Sequence, residues 1–512
     1  MKNVKILFSL SLIFLVSMIS CDESTIELLP IGDTEGSYFQ NETQMEEAMM
    51  GVYQKLSFFY GFRGSQTNTL APVWQLPGDD LTTPANFALE NFSGLNGSTG
   101  QLSLFYDFAY QLISRANTML QKNEENGDFA YTDQPELKDY HRGEALFLRA
   151  YMYLQLWNVF GTAPLVTERI TNLDNAYPPN SQGTELLDQA IIDLQEAAQL
   201  LPDSWSAGMK GRVTKNSALG LRGKCLVFRG SVNDTNEDFT AAISDFNALS
   251  GMSLTPVYSQ NFDVNYENNA ESLFEYQANS NTANTNPFLN NDDFAVVGEI
   301  GAYYGFFTQK PSWVGNSYYT ATSSVINAYE DGDPRKYYNL DTSTGNLLNV
   351  KKYIRHTAYV SGWGGGGYEI SVNNPRILRY ADVLLLKAEA IVRSGGNLSE
   401  AISIINEIRG RARNSTEDGI PSAIPEDKDI SESDAATVLE WIFQERRLEL
   451  AFEEGHRWWD LRRRHMAGEI DLNNLDFQSL DLNFKFEEKN INFPLPETEV
   501  VENPNMDQNP GY

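Results

Sequence analysis

Glu445, Glu449 and Glu453 recur at four-residue intervals, with Arg446, Arg447 and Arg457 set among them, so acid–base chemistry is the first reading the chain invites. Charges this dense perturb one another's pKa values, but a structural ion-pair network does the same. The structural reading is the better one. From Glu445 to Arg464 (ERRLELAFEEGHRWWDLRRR) the charges alternate with large apolar groups, so each must be paired internally or left in water. Arg446, Glu449 and Arg457 are therefore expected to be structural, and Trp458 and Trp459 to pack. No HExxH, GxSxG or phosphate-loop motif is present. Gly362 to Gly367 (GWGGGG) formally satisfies GxGxxG, but no helix follows to aim its N-terminus at a pyrophosphate, and the stretch reads as a flexible loop. Carboxylates are abundant, yet no motif singles out a pair for glycoside hydrolysis. His141, His356, His456 and His465 lack metal-ligand spacing, and Asn290, Asn291, Asp292 and Asp293 lack that of an EF-hand. No catalytic residue, metal or cofactor is expected.

Residues suited to binding stand elsewhere. Trp74, Trp313, Tyr318, Tyr319 and Trp363 sit in polar, aperiodic segments where no helical face obliges burial. Each either pins down its own loop or offers a flat face to a ligand. A pyranose has an apolar C–H face that fits such a ring, while its hydroxyl rim needs carboxylates and amides, here Asp79, Asp80 and Asn316. Trp313 ranks first for exposure, because Ser312, Gly315 and Asn316 surround it.

These candidates belong to two loop-rich insertions, about 57–100 and 278–367, in an otherwise helical chain. Helices are expected over Phe39–Leu56, Phe105–Leu120, Gly143–Trp157, Leu186–Leu201, Ser217–Phe228 and Phe239–Leu249. The segment from Ile377 to Ile391 is apolar nearly all round and should be a buried helix, stopped by Gly395 and Gly396. Ala401, Ile402, Ile404, Ile405, Ile408 and Ala412 give its antiparallel partner one apolar face, and Ser431 with Asp434 has capping-box spacing before a third helix. Gly220 and Gly223 opposite Ala241 and Ala242, like Ala388 opposite Ala401, are loosely similar to the small positions of tetratricopeptide repeats. Asp331 to Arg335 reads as a turn. The fold class is thus mainly α: a paired-helix, tetratricopeptide-like scaffold with large irregular insertions and little β.

The 512 residues contain no low-complexity linker, so one large domain with insertions is the expected organisation. A formal net charge of −31 argues against nucleic acid and anionic lipid as direct partners, since both require clustered cations. Lys2 and Lys5 precede an apolar run from Ile6 to Ile19 that ends at Ser20-Cys21, the pattern of a secretory signal over residues 1–20. Met18 to Cys21 resembles a lipoprotein cleavage box, so Cys21 is expected to carry the lipid. Cys225, in an apolar helical pattern, reads as a buried structural thiol, and the two cysteines form no disulfide framework.

The phrase ERRLELAFEEGHRWWDLRR, preceded by NPRILRYADVLLLKAEA, closely resembles the SusD/RagB family of surface nutrient-binding lipoproteins of Bacteroidetes. Further similarities are the Gly51-Val52-Tyr53 region, Arg115-Ala116-Asn117, the aromatic stretch from Gly143 to Trp157 with Phe160 to Leu165 after it, Glu271 to Gln277, Asp331 to Arg335, Phe493 to Pro496, and Gln508 to Tyr512. The likeness spans the chain and fails only in the two insertions. It implies a single domain over 21–512 built on repeat-like hairpins and anchored through Cys21 outside the outer membrane, with Asp22 and Glu23 similar to a surface-export stretch. It also implies a non-enzymatic nutrient binder, most readily of a glycan for polysaccharide utilisation, that closes over a TonB-dependent β-barrel transporter and hands the ligand over. A peptide-binding member of the same family, a surface glycosidase and a periplasmic helical-repeat interaction protein stay open as alternatives.

Overall fold

The computed structural model describes residues 34–61, 70–83, 88–278, 319–341, 349–353, 359–363, 368–474 and 486–512. The leader and Cys21 lie outside them. Helix α1 (Glu42–Tyr53) starts where the Asn41 side chain accepts from Gln44 N, and buries Met45, Met49 and Val52 along one face. Helices α2 (Gly100–Ala130) and α3 (Glu136–Phe160) follow. From Gly143 to Phe160 nearly every residue of α3 is buried, because α1, α2 and α4 (Glu185–Leu200) cover it on different sides. Gly161, at φ 72°, ends α3 where any Cβ would lie 2.4 Å from Asn492 Oδ1.

Helix α5 (Lys215–Asn233) opens on a capping box between Thr214 and Ser217 and packs on α4 and α6 (Asn236–Asn247). The expected close approach of α5 and α6 occurs, but through a ring: a Cβ on Gly223 would meet Phe246 Cε1 at 2.2 Å, and Gly220 faces Leu273 and Leu378 rather than an alanine. Helix α6 packs against α7 (Tyr380–Arg393), which forms a hairpin with α8 (Leu398–Arg413). Their interface is a separate apolar cluster shared with α9 (Ala435–Glu449). Asp434 alone caps α9, accepting from Thr437 N at 3.0 Å, while Ser431 bonds Asp429 in the preceding loop. After a strained exit, α10 (His456–Met466) lies against α5 and α9. The paired-helix, tetratricopeptide-like scaffold is found.

Three two-stranded antiparallel ladders occur among the described residues. Strand β1 (Leu81–Thr82) pairs with β3 (Thr320–Ala321), β2 (Ser272–Glu275) with β6 (Arg376–Arg379), and β4 (Tyr359–Trp363) with β5 (Tyr368–Ser371). Ile377 and Leu378 are therefore strand rather than the start of α7, since β2 offers a ladder and burial on both faces. Gly362 and Trp363 end β4, and the element after them is a strand, so the glycine run opens no helix.

Candidate functional site

Leu81 opposite Ala321 and Thr82 opposite Thr320 join the two insertions directly. Backbone and side chain extend the joint: Thr322 N donates to Asp80 O at 3.0 Å and Thr322 Oγ1 to Asp79 O at 2.6 Å. Thr82 Oγ1 donates to Glu90 at 2.6 Å, clasping β1 from the first insertion. Two scaffold arginines then hold the joint. Arg457 Nε donates to Asp79 Oδ1 at 2.6 Å, and Arg447 reaches Asp79 Oδ2 at 3.0 Å, Asp80 Oδ1 at 2.9 Å and Ser324 Oγ at 2.7 Å. Burial alone would raise the Asp79 pKa, but the guanidiniums of Arg457 and Arg447 hold it well below the usual carboxylate range. Asp80 shifts upward, from burial first and then from the Asp79 charge beside it.

The structure buries four of the expected ligand residues. Trp74, in the short helix Ala71–Gln75, is 6% exposed, its ring 6.0 Å from Tyr60 and 6.2 Å from Phe105. Tyr319 is 1% exposed, inside a second apolar cluster with Tyr258, Val325 and Leu340. Both rings pin their insertions to the scaffold, because segments without periodicity still bury their aromatics when they fold back. Asp79 and Asp80 are likewise spent on arginines. Trp313, Asn316 and Tyr318 lie outside the described residues; Trp363 terminates β4, and its side chain is outside them too.

Behind the joint runs a buried ion-pair network. Glu449 is shared by Arg335, Arg379 and Arg411; Glu445 by Arg335 and Arg409; Glu453 by Arg379 and Lys352; Glu271 by Arg379 and Arg411. Arg446 joins Asp382 to Asp460 at 2.8 and 2.7 Å. Burial would raise Glu449, yet Arg411, Arg379 and Arg335 hold it strongly ionised. Arg446, Glu449 and Arg457 are structural, as expected, and Trp458 stacks at 14° on Phe493. Arg335 and Lys352 were not singled out by the sequence reading. They bring the second insertion itself into the network. Arg335 had a local signal, since Asp333 caps and Pro334 opens a helix (Pro334–Asn339) where a turn was expected.

The turn between α9 and α10 places Phe452, Glu454 and Gly455 at φ 65°, 31° and 67°. A Cβ on Gly455 would stand 2.5 Å from Trp74 O, so the turn can seat the first insertion only with glycine there. Glu454, 5% exposed, accepts from Tyr60 Oη at 2.7 Å, and no cation among the described residues bonds to it; burial pushes its pKa up to about 8. Cys225 is buried, and its thiol is pushed up to about 12, so it is an inert structural thiol. Among the described residues no group of His, Cys, Asp or Glu could hold a metal ion, and no helix is long and apolar enough to cross a membrane. Open clefts of about 950 Å³, between the ends of α3 and α4, and about 630 Å³, beside the Pro334–Asn339 helix, contain none of the expected ligand residues.

Residues 230–512 match the profile described as the SusD family, and residues 82–227 one described as starch-binding associating with outer membrane. A SusD-like protein of Formosa agariphila is 26% identical over 100% of both chains. A SusD homolog from Bacteroides thetaiotaomicron superposes with TM-score 0.76 at 22% identity, covering 94% of this chain and 99% of its own. The surface glycan-binding protein A from Bacteroides thetaiotaomicron in complex with laminarihexaose gives 0.70 at 18%, covering 92% and 99%.

Proposed function

The chain belongs to the SusD/RagB family, and on that premise we propose that it is an outer-membrane surface lipoprotein that binds an extracellular glycan and passes it to a TonB-dependent β-barrel transporter. The observation that carries this reading is the β1–β3 joint. It makes one support of the two segments that depart most from the family's motifs, and Arg447 and Arg457 fix that support to the scaffold. Variable loops on a rigid base are the usual means of changing a ligand without changing a fold. A neighbour of the same fold with laminarihexaose bound supports a sugar as that ligand. Binding rather than hydrolysis fits the electrostatics of the described core, where Glu445, Glu449 and Glu453 are held by Arg335, Arg379 and Lys352. We assign the ligand contacts to Trp313, Asn316, Tyr318 and Trp363, and the anchor to Cys21, with residues 21–512 acting as one unit.

Titration of the mature chain with laminarihexaose, other neutral hexasaccharides and mixed peptides tests the reading. Saturable sugar binding without product release is expected. Hydrolysis, or binding of peptides alone, overturns it. In the native cell, Cys21→Ala should move the protein from the membrane fraction to the soluble one, and a tag on the wild-type chain should co-purify a β-barrel transporter. Retention of the alanine variant in the membrane contradicts the anchor.

A further inference from the structure

Beyond the insertion aromatics, we propose that the cleft of about 630 Å³ between the Pro334–Asn339 helix and the 415–422 loop is a second saccharide subsite, selective for a neutral sugar unit. The inference rests on the glycan reading above and adds a place where the chain would hold another part of the oligomer.

The cleft is built before any ligand arrives. Its helical wall is fixed from below, because Arg335, between Pro334 and Lys336, is completely buried among Asp333, Glu445 and Glu449. Its loop wall is tied at both ends. Ser415 Oγ accepts from Tyr258 N and donates to Arg411 O, at 2.8 and 2.7 Å, and Ser422 Oγ donates to Gly332 O at 2.9 Å, across the cleft floor. Between these ties, Thr416 Oγ1 donates to Ile420 O and Ile420 N to Asp418 Oδ1, which sets the loop tip. Rigid walls lower the entropy lost when a weak ligand binds.

Its chemistry suits a sugar. Tyr337 is half-buried on one wall, and Ile420 on the other is 69% exposed, an apolar residue that the loop's own hydrogen bonds hold in water. An aromatic ring and an aliphatic side chain lining one open cleft suit the apolar C–H face of a pyranose, and Thr416 and Asp418 offer oxygen acceptors for its hydroxyls. The charge balance selects against anionic sugars. Lys336 is the only cation lining the cleft among the described residues, and its ammonium is engaged with Asp331 at 3.2 Å, whereas the exposed carboxylate of Asp418 stands at the loop tip. A sulfated or uronic chain would bring its negative charge against that carboxylate.

Hydroxyl-radical footprinting and calorimetry on the mature chain form the test. The probes are neutral hexasaccharides of glucose, mannose, xylose and galactose, with oligogalacturonate as the charged control. Saturating neutral ligand should protect Tyr337 and Ile420 from oxidation, and oligogalacturonate should not. Tyr337→Ala should weaken the weaker of two binding steps by about threefold to tenfold, the worth of one aromatic contact. Ile420→Asp, at an exposed position that cannot unfold the core, should do the same. The stronger step should be unchanged in both variants. One binding step that neither variant alters, with Tyr337 oxidised equally with and without ligand, overturns the subsite and leaves the glycan reading standing. Binding of oligogalacturonate in the cleft overturns the charge selection. No binding by any neutral sugar overturns the subsite together with the reading it rests on.

Discussion

Arg379→Ala lowers the unfolding free energy by about 3–5 kcal/mol, the range for removing one partner from a buried ionic group. Arg379 is 1% exposed, and its guanidinium donates to Glu453 Oε2 at 2.7 Å, Glu271 Oε1 at 2.8 Å, Glu449 Oε1 at 2.8 Å and the Glu449 carbonyl at 2.7 Å. Alanine leaves three carboxylates facing one another with Arg335, Arg411 and Lys352 as their remaining cations, and opens a hole too large for the neighbours to fill. Lysine does not restore the loss, because a single ammonium cannot reproduce five hydrogen bonds donated from one planar group, the fifth running to Glu453 Oε1 at 2.9 Å. Denaturant melts of the wild type, the alanine and the lysine variants check this. An alanine variant with an unchanged midpoint shows that the network is not what holds α7, α9 and β2 together.

Stability should fall between pH 5 and pH 8, and Glu454→Gln should remove much of the fall. The Glu454 carboxyl loses hydration on burial, which raises its folded pKa to about 8 from the ordinary 4.5, and the hydrogen bond from Tyr60 and the Lys224 charge only partly oppose this. A raised folded pKa means that the folded chain binds the proton more tightly. The favourable contribution is complete below about 4.5 and is lost as pH rises through about 8, at a limiting slope of about 1.4 kcal/mol per pH unit. Glu90 and Glu267, both raised to about 7 by burial, act in the same direction. His456, depressed well below its ordinary 6.5 by burial, opposes them below about 6.5, and Lys352, depressed to about 8 by burial, opposes them only above that pH. The substituted amide cannot ionise and keeps an oxygen for Tyr60, so the variant should match the wild type near pH 5 and exceed it near pH 8. Parallel pH profiles for the two proteins contradict the assignment.

The scaffold was legible because its helices carry their own evidence. The stripe of Met45, Met49 and Val52, the all-apolar run in α7 and the Asp434 cap are local patterns that the fold honours. The errors fall where tertiary contacts decide. Ile377 and Leu378 continue an apolar helix by composition and become strand because β2 lies beside them. Trp74 and Tyr319 sit among polar neighbours in the chain yet are buried by Phe105, Tyr60 and Tyr258, residues far away in sequence. Apart from the Arg335–Asp333 pair, Arg335 and Lys352 find their carboxylates about a hundred residues on, beyond any spacing rule, at separations of 110 and 101. The joining of the insertions was invisible for the same reason, since two-residue strands such as Leu81–Thr82 have no readable alternation.

The central claim is that both insertions form one ligand-binding face on a rigid helical base. Hydrogen–deuterium exchange of the mature chain, with and without a saturating neutral hexasaccharide that it binds, tests this most directly. Protection should appear together in 57–100 and 278–367, including β1 and β3, while the α4–α5–α6 hairpins exchange as before. Protection confined to one insertion, or centred on those hairpins, contradicts it.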